Sequence, residues 1–341
     1  MNKRPRFAEL DYLRGLMALA VMIFHFDKWL TGEWVANTLP GRLGVYAVSI
    51  FFVLSGLALT LAYEHRINEK VSSWTPYFAQ RIRRIYPLLW LATFATLLLD
   101  DVRRPFSTIL LNITGLFGFI NPADDIATGA WSIGCELVYY CLFPLLLLLS
   151  QGSKAGFLAG LFAALCMGGW LAFYGIPADA VEQRQWWTPY TAVANHACFF
   201  ICGMAMGRFR AYGACIPSSI WRLILTFGVL SFVFWPIGPD PLQLVHGTNR
   251  IILSLLSILI CWAVFNSRLA GGTHIHRGLG WLGSVSYSLY LLHPLVFRGM
   301  RAVFSRLQIA ESYWLLMGAA AVTALVFSHF VYHYFERKFI R

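Results

Sequence analysis

Apolar runs long enough to cross a bilayer recur at about 10–30, 43–63, 83–99, 132–150, 155–174, 190–207, 220–236, 250–266, 281–300 and 313–333. About 20 apolar residues in a helix cover the hydrocarbon thickness, so each run predicts a transmembrane helix. An eleventh run, Phe106 to Ile120, is short and carries Asn112, Thr114, Gly115 and Gly118. Basic residues arbitrate its path. If 106–120 does not cross, 18 of the 27 Lys and Arg residues collect on one side, the cytoplasmic side by the positive-inside bias; if it crosses, the split is 14 to 13. The pattern therefore predicts an all-α polytopic membrane bundle of about ten transmembrane helices plus one short re-entrant or half-depth helix at 106–120. Both termini are expected in the cytoplasm and the bundle in the cell (inner) membrane. Backbone that stops part way must be buried in protein, because lipid cannot satisfy it. No low-complexity linker or internal repeat interrupts the runs, so 1–341 reads as a single integral-membrane domain with no soluble appended domain.

Composition agrees with that reading and narrows it. Hydrophobic residues make up 58 % of the 341 and charged residues 13 %, against roughly 25 % charged in soluble domains. A net charge of +11 would suggest nucleic acid in a soluble chain. Here the basic residues sit in short clusters between apolar runs, so the expected surroundings are membrane lipids, with no nucleic acid. Lys3-Arg4-Pro5-Arg6 precedes the first run without a small-residue cleavage site and predicts an uncleaved first span. The seven cysteines (135, 141, 166, 198, 202, 215, 261) form no Cys-x-x-Cys and read as small buried hydrophobes, with neither a disulfide framework nor a zinc site.

Four stretches carry ionisable groups where lipid-facing positions would be costly. Arg14 and His25 share one stripe of the first run, about 20° apart around the axis and about 16 Å apart along it; Asp11, three residues before Arg14, can pair with it. Gln80 to Trp90 places Arg81 and Arg84 one helical turn apart, with Arg83 between them and Pro87 beyond, a spacing that suits a phosphate group. In Trp131-Ser132 through Tyr140, Glu136 lies in a span with Ser132 one turn before and Tyr140 one turn after. Ser286, Tyr290 and His293 again share a face, with Pro294 next. Each stretch has a plainer alternative: snorkelling or anchoring arginines, a helix-packing His25, an arginine-pairing Glu136, and a structural hydrogen-bond network for Ser286, Tyr290 and His293. Asn195 and His196 form a further intramembrane polar pair without an assigned role. His25 and Asp27 are two residues apart on a helix and point to different sides. His274 and His276, expected in a Gly-rich cytoplasmic loop, have no matching ligand set, and no metal is expected. Trp186, Trp187 and Tyr190 flank an outside loop and read as interfacial belt residues more readily than as a sugar platform.

Together these stretches resemble the acyltransferase-3 family of bacterial integral-membrane O-acyltransferases. The resemblance rests on Arg14 with ten residues before His25, Phe51-Phe52-Val53-Leu54-Ser55-Gly56, the Arg81–Trp90 run, Trp131-Ser132 with Glu136, and Ser286-Tyr287-Ser288-Leu289-Tyr290-Leu291-Leu292-His293. The family often carries an Asp close to the start of the Phe-Phe-Val-Leu-Ser-Gly run; Ser49 stands near that place here, so no role of that Asp carries over. The resemblance implies O-acylation, commonly O-acetylation, of a carbohydrate or glycolipid acceptor, with cytoplasmic acyl-CoA (commonly acetyl-CoA) as donor and no permanently bound cofactor. It implies His25 as general base or acyl relay, Glu136 orienting its ring, and Arg14, Arg81, Arg83 and Arg84 along the path of coenzyme A. Ser132, Tyr140, Ser286, Tyr290 and His293 would supply polar contacts. Two other readings compete: acylation of a small molecule such as a macrolide, and a transporter or flippase with a proton-relay histidine. The transporter reading does not account for guanidinium groups clustered at one mouth, and no inverted repeat supports it.

Overall fold

Each long apolar run folds as a helix, since a bilayer leaves helical backbone as the economical way to satisfy every N–H and C=O. The computed structural model describes residues 7–100, 102–180, 182–269, 273–310 and 312–340; Lys3-Arg4-Pro5-Arg6 and Arg341 lie outside them. The helices are α1 (Ala8–Thr31), α2 (Leu39–Tyr63), α3 (Thr75–Leu99), α4 (Phe106–Thr114), α5 (Phe117–Ile120), α6 (Trp131–Gly152), α7 (Lys154–Tyr174) and α8 (Gln183–Thr191). They continue with α9 (Val193–Arg208), α10 (Arg210–Ala214), α11 (Ser218–Phe234), α12 (Leu242–Val245), α13 (Gly247–Asn266), α14 (Thr273–Arg306), α15 (Tyr313–Val331) and, after a π turn at Tyr332–Glu336, α16 (Arg337–Ile340). Among the described residues there is no strand. Six helical stretches are long and apolar enough to cross a membrane by length and composition: Leu39–Tyr63, Val71–Leu99, Trp131–Gly152, Lys154–Tyr174, Gly247–Asn266 and Tyr313–Ile340.

One boundary moves. Helix α14 starts at Thr273, so His274 and His276 lie on its first turns, where His276 Nδ1 is 2.8 Å from Tyr12 Oη. The apolar run at 281–300 predicts a later start because the helix extends past the apolar stretch. The cysteines also divide: Cys135, Cys198, Cys202 and Cys261 are buried, while Cys141, Cys166 and Cys215 are exposed on the outside of the bundle.

The 106–120 segment is broken at Gly115, whose φ of 76° places it in the left-handed region. The nine residues of α4 rise only about 13 Å, too little to cross. Helix α3 covers its end: Tyr86 Oη donates to the Thr114 carbonyl (2.7 Å) and Trp90 Nε1 to that of Ile113 (2.8 Å). Buried Asn112 donates to the Asp124 carbonyl (2.9 Å) and accepts from Ile126 N (2.9 Å), pinning the following loop.

Helices α1 and α14 pack in parallel. Tyr12 meets His276, Gly15 meets Gly283, and His25 meets His293, all in ascending order. Seven long helices (α2, α3, α6, α7, α9, α11 and α13) lie between the two in sequence. If each of the seven crosses in turn, α14 returns parallel to α1, as observed; an eighth crossing at 106–120 would turn it over. The α2–α9 pair is parallel too, and its contact is made by glycines. A Cβ on Gly56 would run into the Phe200 carbonyl oxygen, and one on Gly203 into that of Val53. Small residues let helix backbones approach this closely in lipid. Gly203→Leu is expected to cost about 3 kcal/mol, read as a lower unfolding temperature in detergent, whereas Gly160→Leu, facing open space, should leave it unchanged.

Candidate active site

The ascending register of α1 and α14 brings two imidazoles edge to edge. His25 Nδ1 lies 2.8 Å from His293 Nε2, and the two rings are close to coplanar, with centroids 5.0 Å apart and planes 15° apart. His293 Nδ1 lies 3.1 Å from the Leu289 carbonyl oxygen, one turn back along α14. A carbonyl only accepts, so His293 Nδ1 carries the proton and Nε2 is an acceptor. His25 Nδ1 must then be the donor, which makes Nε2 the unprotonated nitrogen of His25. Trp29 lies near-parallel to the His25 ring, at 5.1 Å and 9°. Neutral imidazole held in one tautomer is the form that accepts a proton.

Below this pair along α1, a cavity of about 310 Å³ opens between α1, α2, α3, α6 and α14. Arg14, Arg81, Arg84, Ser132, Glu136, Tyr140, Ser286 and Tyr290, drawn from all four chemistry-bearing stretches, line it together. Arg14 pairs with Asp11 (3.6 Å) and donates to the Leu54 carbonyl (3.2 Å). Arg81 lies over the rings of Tyr63 and Tyr140 at 5.9 Å each, with a buried Nε that has no hydrogen-bond partner. Among the described residues, neither Arg81 nor Arg84 has a carboxylate within ion-pair distance. Arg83 turns away: it is exposed, and its Nε donates to the Ala79 carbonyl (3.3 Å) on its own helix. A step of about 100° per residue explains why Arg81 and Arg84 share a face that Arg83 misses.

Glu136 does not orient His25. Ser55 Oγ donates to one of its oxygens at 2.5 Å and Tyr140 Oη to the other at 3.1 Å, with the two hydroxyls 3.1 Å apart. The imidazole is instead oriented by His293, 268 residues away in sequence. Nor does His25 line the cavity. Tyr290 stands between, its ring 6.4 Å from His293 and 5.6 Å edge-on to Phe51. Tyr290 Oη donates to the Gly129 carbonyl (3.0 Å) and sits 2.8 Å from Ser132 Oγ. Ser286 donates to Gly283 (2.8 Å) on the cavity wall. In the loop beside Gly129, burial pushes the Asp125 carboxyl up to about 7, against backbone N–H donors such as that of Trp131 (3.1 Å).

Other expected residues serve the frame. Asp27 accepts from Tyr313 Oη (2.7 Å), apart from His25. Asn195 accepts from Arg250 and donates to the Tyr190 carbonyl (2.8 Å), which His196 Nε2 also approaches at 2.8 Å. Trp186 and Tyr190 are buried in a cluster with Trp131 and Trp187, so neither belongs to an interfacial belt. The sequence reading passed over Ser55, whose hydroxyl in the apolar run 51–57 was the available signal, and Trp29, one helical turn after His25.

A family model described as an acyltransferase domain, Acyl_transf_3, matches residues 7–333. A Staphylococcus aureus (strain COL) protein, named as a candidate O-acetyltransferase, is 26 % identical over 330 residues, covering 86 % of this chain and 52 % of its own length. The exopolysaccharide production protein ExoZ of Rhizobium meliloti (strain 1021) is 24 % identical over 261 residues, 74 % of this chain and 76 % of its own. A Bacillus subtilis (strain 168) protein, YrhL, named as a candidate peptidoglycan O-acetyltransferase, is 25 % identical over 322 residues, 83 % of this chain and 47 % of its own. The chain thus spans about half the length of the S. aureus relative. No solved structure matches it.

Proposed function

The chain belongs to the Acyl_transf_3 acyltransferase family, and from that membership we propose that it is a membrane O-acyltransferase moving an acyl group, commonly acetyl, from cytoplasmic acyl-CoA to a glycan hydroxyl. The observation that carries the proposal is the cavity in which Arg81 and Arg84 have, among the described residues, no carboxylate within ion-pair distance, and which ends one tyrosine short of the imidazole pair. Arg81 and Arg84 hold the nucleotide phosphates, for which guanidinium forks are suited. The pantetheine arm lies along the stripe past Arg14, over the roughly 16 Å that separates that residue from His25. Its amides meet the Ser55–Glu136–Tyr140 cluster. The Phe51–Tyr290 pair must part for the thioester to reach the imidazoles.

His25 Nε2 takes the proton of the acceptor hydroxyl as its oxygen attacks the thioester carbonyl. The C–O bond forms, the C–S bond breaks, and the imidazolium returns the proton to the departing thiolate, leaving an ester and free CoA. His293 is a positioning residue that keeps the His25 proton on Nδ1. The names of the three relatives, two candidate O-acetyltransferases and an exopolysaccharide production protein, support a surface glycan as acceptor over a small molecule.

The test is release of free CoA from acetyl-CoA by the purified protein in nanodiscs. Acceptor-dependent release is expected; its absence overturns the enzyme reading and returns the two histidines to a transport role. Radiolabelled acetyl-CoA without acceptor is expected to leave the protein unlabelled. Label retained on His25 would replace direct transfer by an acyl-histidine relay.

A further inference from the structure

A second cavity, of about 260 Å³, lies on the far side of the histidine pair, lined by Trp29, Thr128, Pro294, Phe297, Arg298 and Arg301. Two of these residues join it directly to the imidazoles. Trp29 is the ring stacked on His25, at 5.1 Å, and Pro294 follows His293 in α14. Along α1, Trp29 stands about 6 Å beyond His25, whereas Arg14 lies about 16 Å before it. The two cavities therefore approach the base from opposite ends of the same helix, this one separated from the His25 ring by Trp29.

The lining has the chemistry of a sugar site. Trp29 and Phe297 pack at 5.2 Å and form an apolar wall against which the C–H face of a pyranose can lie, while Thr128 and the guanidiniums supply donors. Its charge is specific as well. Two guanidiniums, Arg298 and Arg301, line the cavity, and among the described residues the Asp100 carboxylate, at the end of α3, is shared between Arg298 at 2.5 Å and Arg104 at 3.7 Å.

We infer that this cavity is the acceptor site and that it takes a glycosyl unit bearing an anionic group, a phosphate or a carboxylate, with Trp29 against the ring and Arg298 on the anion. The inference rests on the acyltransferase reading. The anion has two sources, a sugar joined to a lipid through phosphate or a uronic acid of a polysaccharide, and both present the same charge to Arg298.

The experiment uses the full chain in nanodiscs with radiolabelled acetyl-CoA and three probe acceptors: a neutral methyl hexoside, a hexose 1-phosphate and a hexuronic acid. The KM of at least one anionic probe should lie about tenfold or more below that of the neutral probe, a charge-assisted hydrogen bond being the source. Which anion is preferred tells the two sources apart. Arg298→Gln should abolish that preference without changing KM for acetyl-CoA, Arg298→Lys should keep part of it, and Trp29→Leu should raise KM for all three probes. Equal KM for neutral and anionic probes overturns the inference, as does an Arg298→Gln variant that retains the preference. A readout independent of turnover is equilibrium binding of labelled hexose 1-phosphate and hexuronic acid to the His25→Ala protein. Arg298-dependent binding there, without acetyl transfer by the wild type, would keep the ligand class while removing the acyltransferase reading. Binding of neither probe overturns the anionic acceptor.

Discussion

His25→Ala is expected to lower kcat for acetyl transfer by about 10²–10⁴-fold, the usual contribution of a positioned general base. KM for acetyl-CoA should not change, since Arg81 and Arg84 line a cavity that His25 does not reach. His293→Phe tests the same relay one step back. A phenyl ring keeps a flat partner for His25 but offers no acceptor to its Nδ1 proton, so the ring loses the bond that fixes its tautomer. A smaller fall in kcat is expected, with the pH–rate profile displaced because the base is no longer held in one protonation pattern. Stopped-assay measurement of free CoA across pH separates the two variants. A His25→Ala protein with wild-type kcat would remove the imidazole from the mechanism.

The second large effect belongs to the donor. The Arg81→Gln, Arg84→Gln double variant is expected to raise KM for acetyl-CoA about 100-fold, two charge-assisted contacts being lost. KM for acetyl-pantetheine, which lacks the nucleotide phosphates, should be unaffected. The wild-type KM for acetyl-CoA should rise with salt and the variant's should do so less, as the contacts lie at a wetted mouth. Arg83→Gln is the internal control, because that side chain is exposed outside the cavity. If the double variant raises KM equally for both donors, Arg81 and Arg84 act on the architecture of α3 and not on phosphate.

Much of this was legible in the chain, and the missing part has one physical cause. Hydrophobic periodicity places a residue on a face of its own helix, and Arg14, Arg81, Arg84, Glu136 and Tyr290 duly converge on one cavity. It does not give the register of one helix against another. His25 and His293 were both visible as polar positions on apolar helices, yet nothing local joins them across 268 residues. What joins them is the Gly15–Gly283 approach, which fixes the parallel register and hence which turn of α14 faces His25. Glu136 shows the same limit: its partners Ser55 and Tyr140 lie on α2 and on its own next turn, away from α1. Arg83 fell in because a basic run reads as one patch until the helix divides it. Trp186 and Tyr190 look like interfacial aromatics in sequence and become buried only when α8 folds against α6 and α9.

The 268-residue reach between the two imidazoles also governs when the protein becomes reactive. During biosynthesis, the polypeptide lays down its cationic entrance early, with α1 to α3, while the histidine that tethers the base emerges near the end. On the proposed reading, an unfinished or stalled product that lacks α14 would have neither the closed donor cavity nor the paired imidazoles. Order of synthesis alone would keep immature copies from squandering the cell's acyl supply.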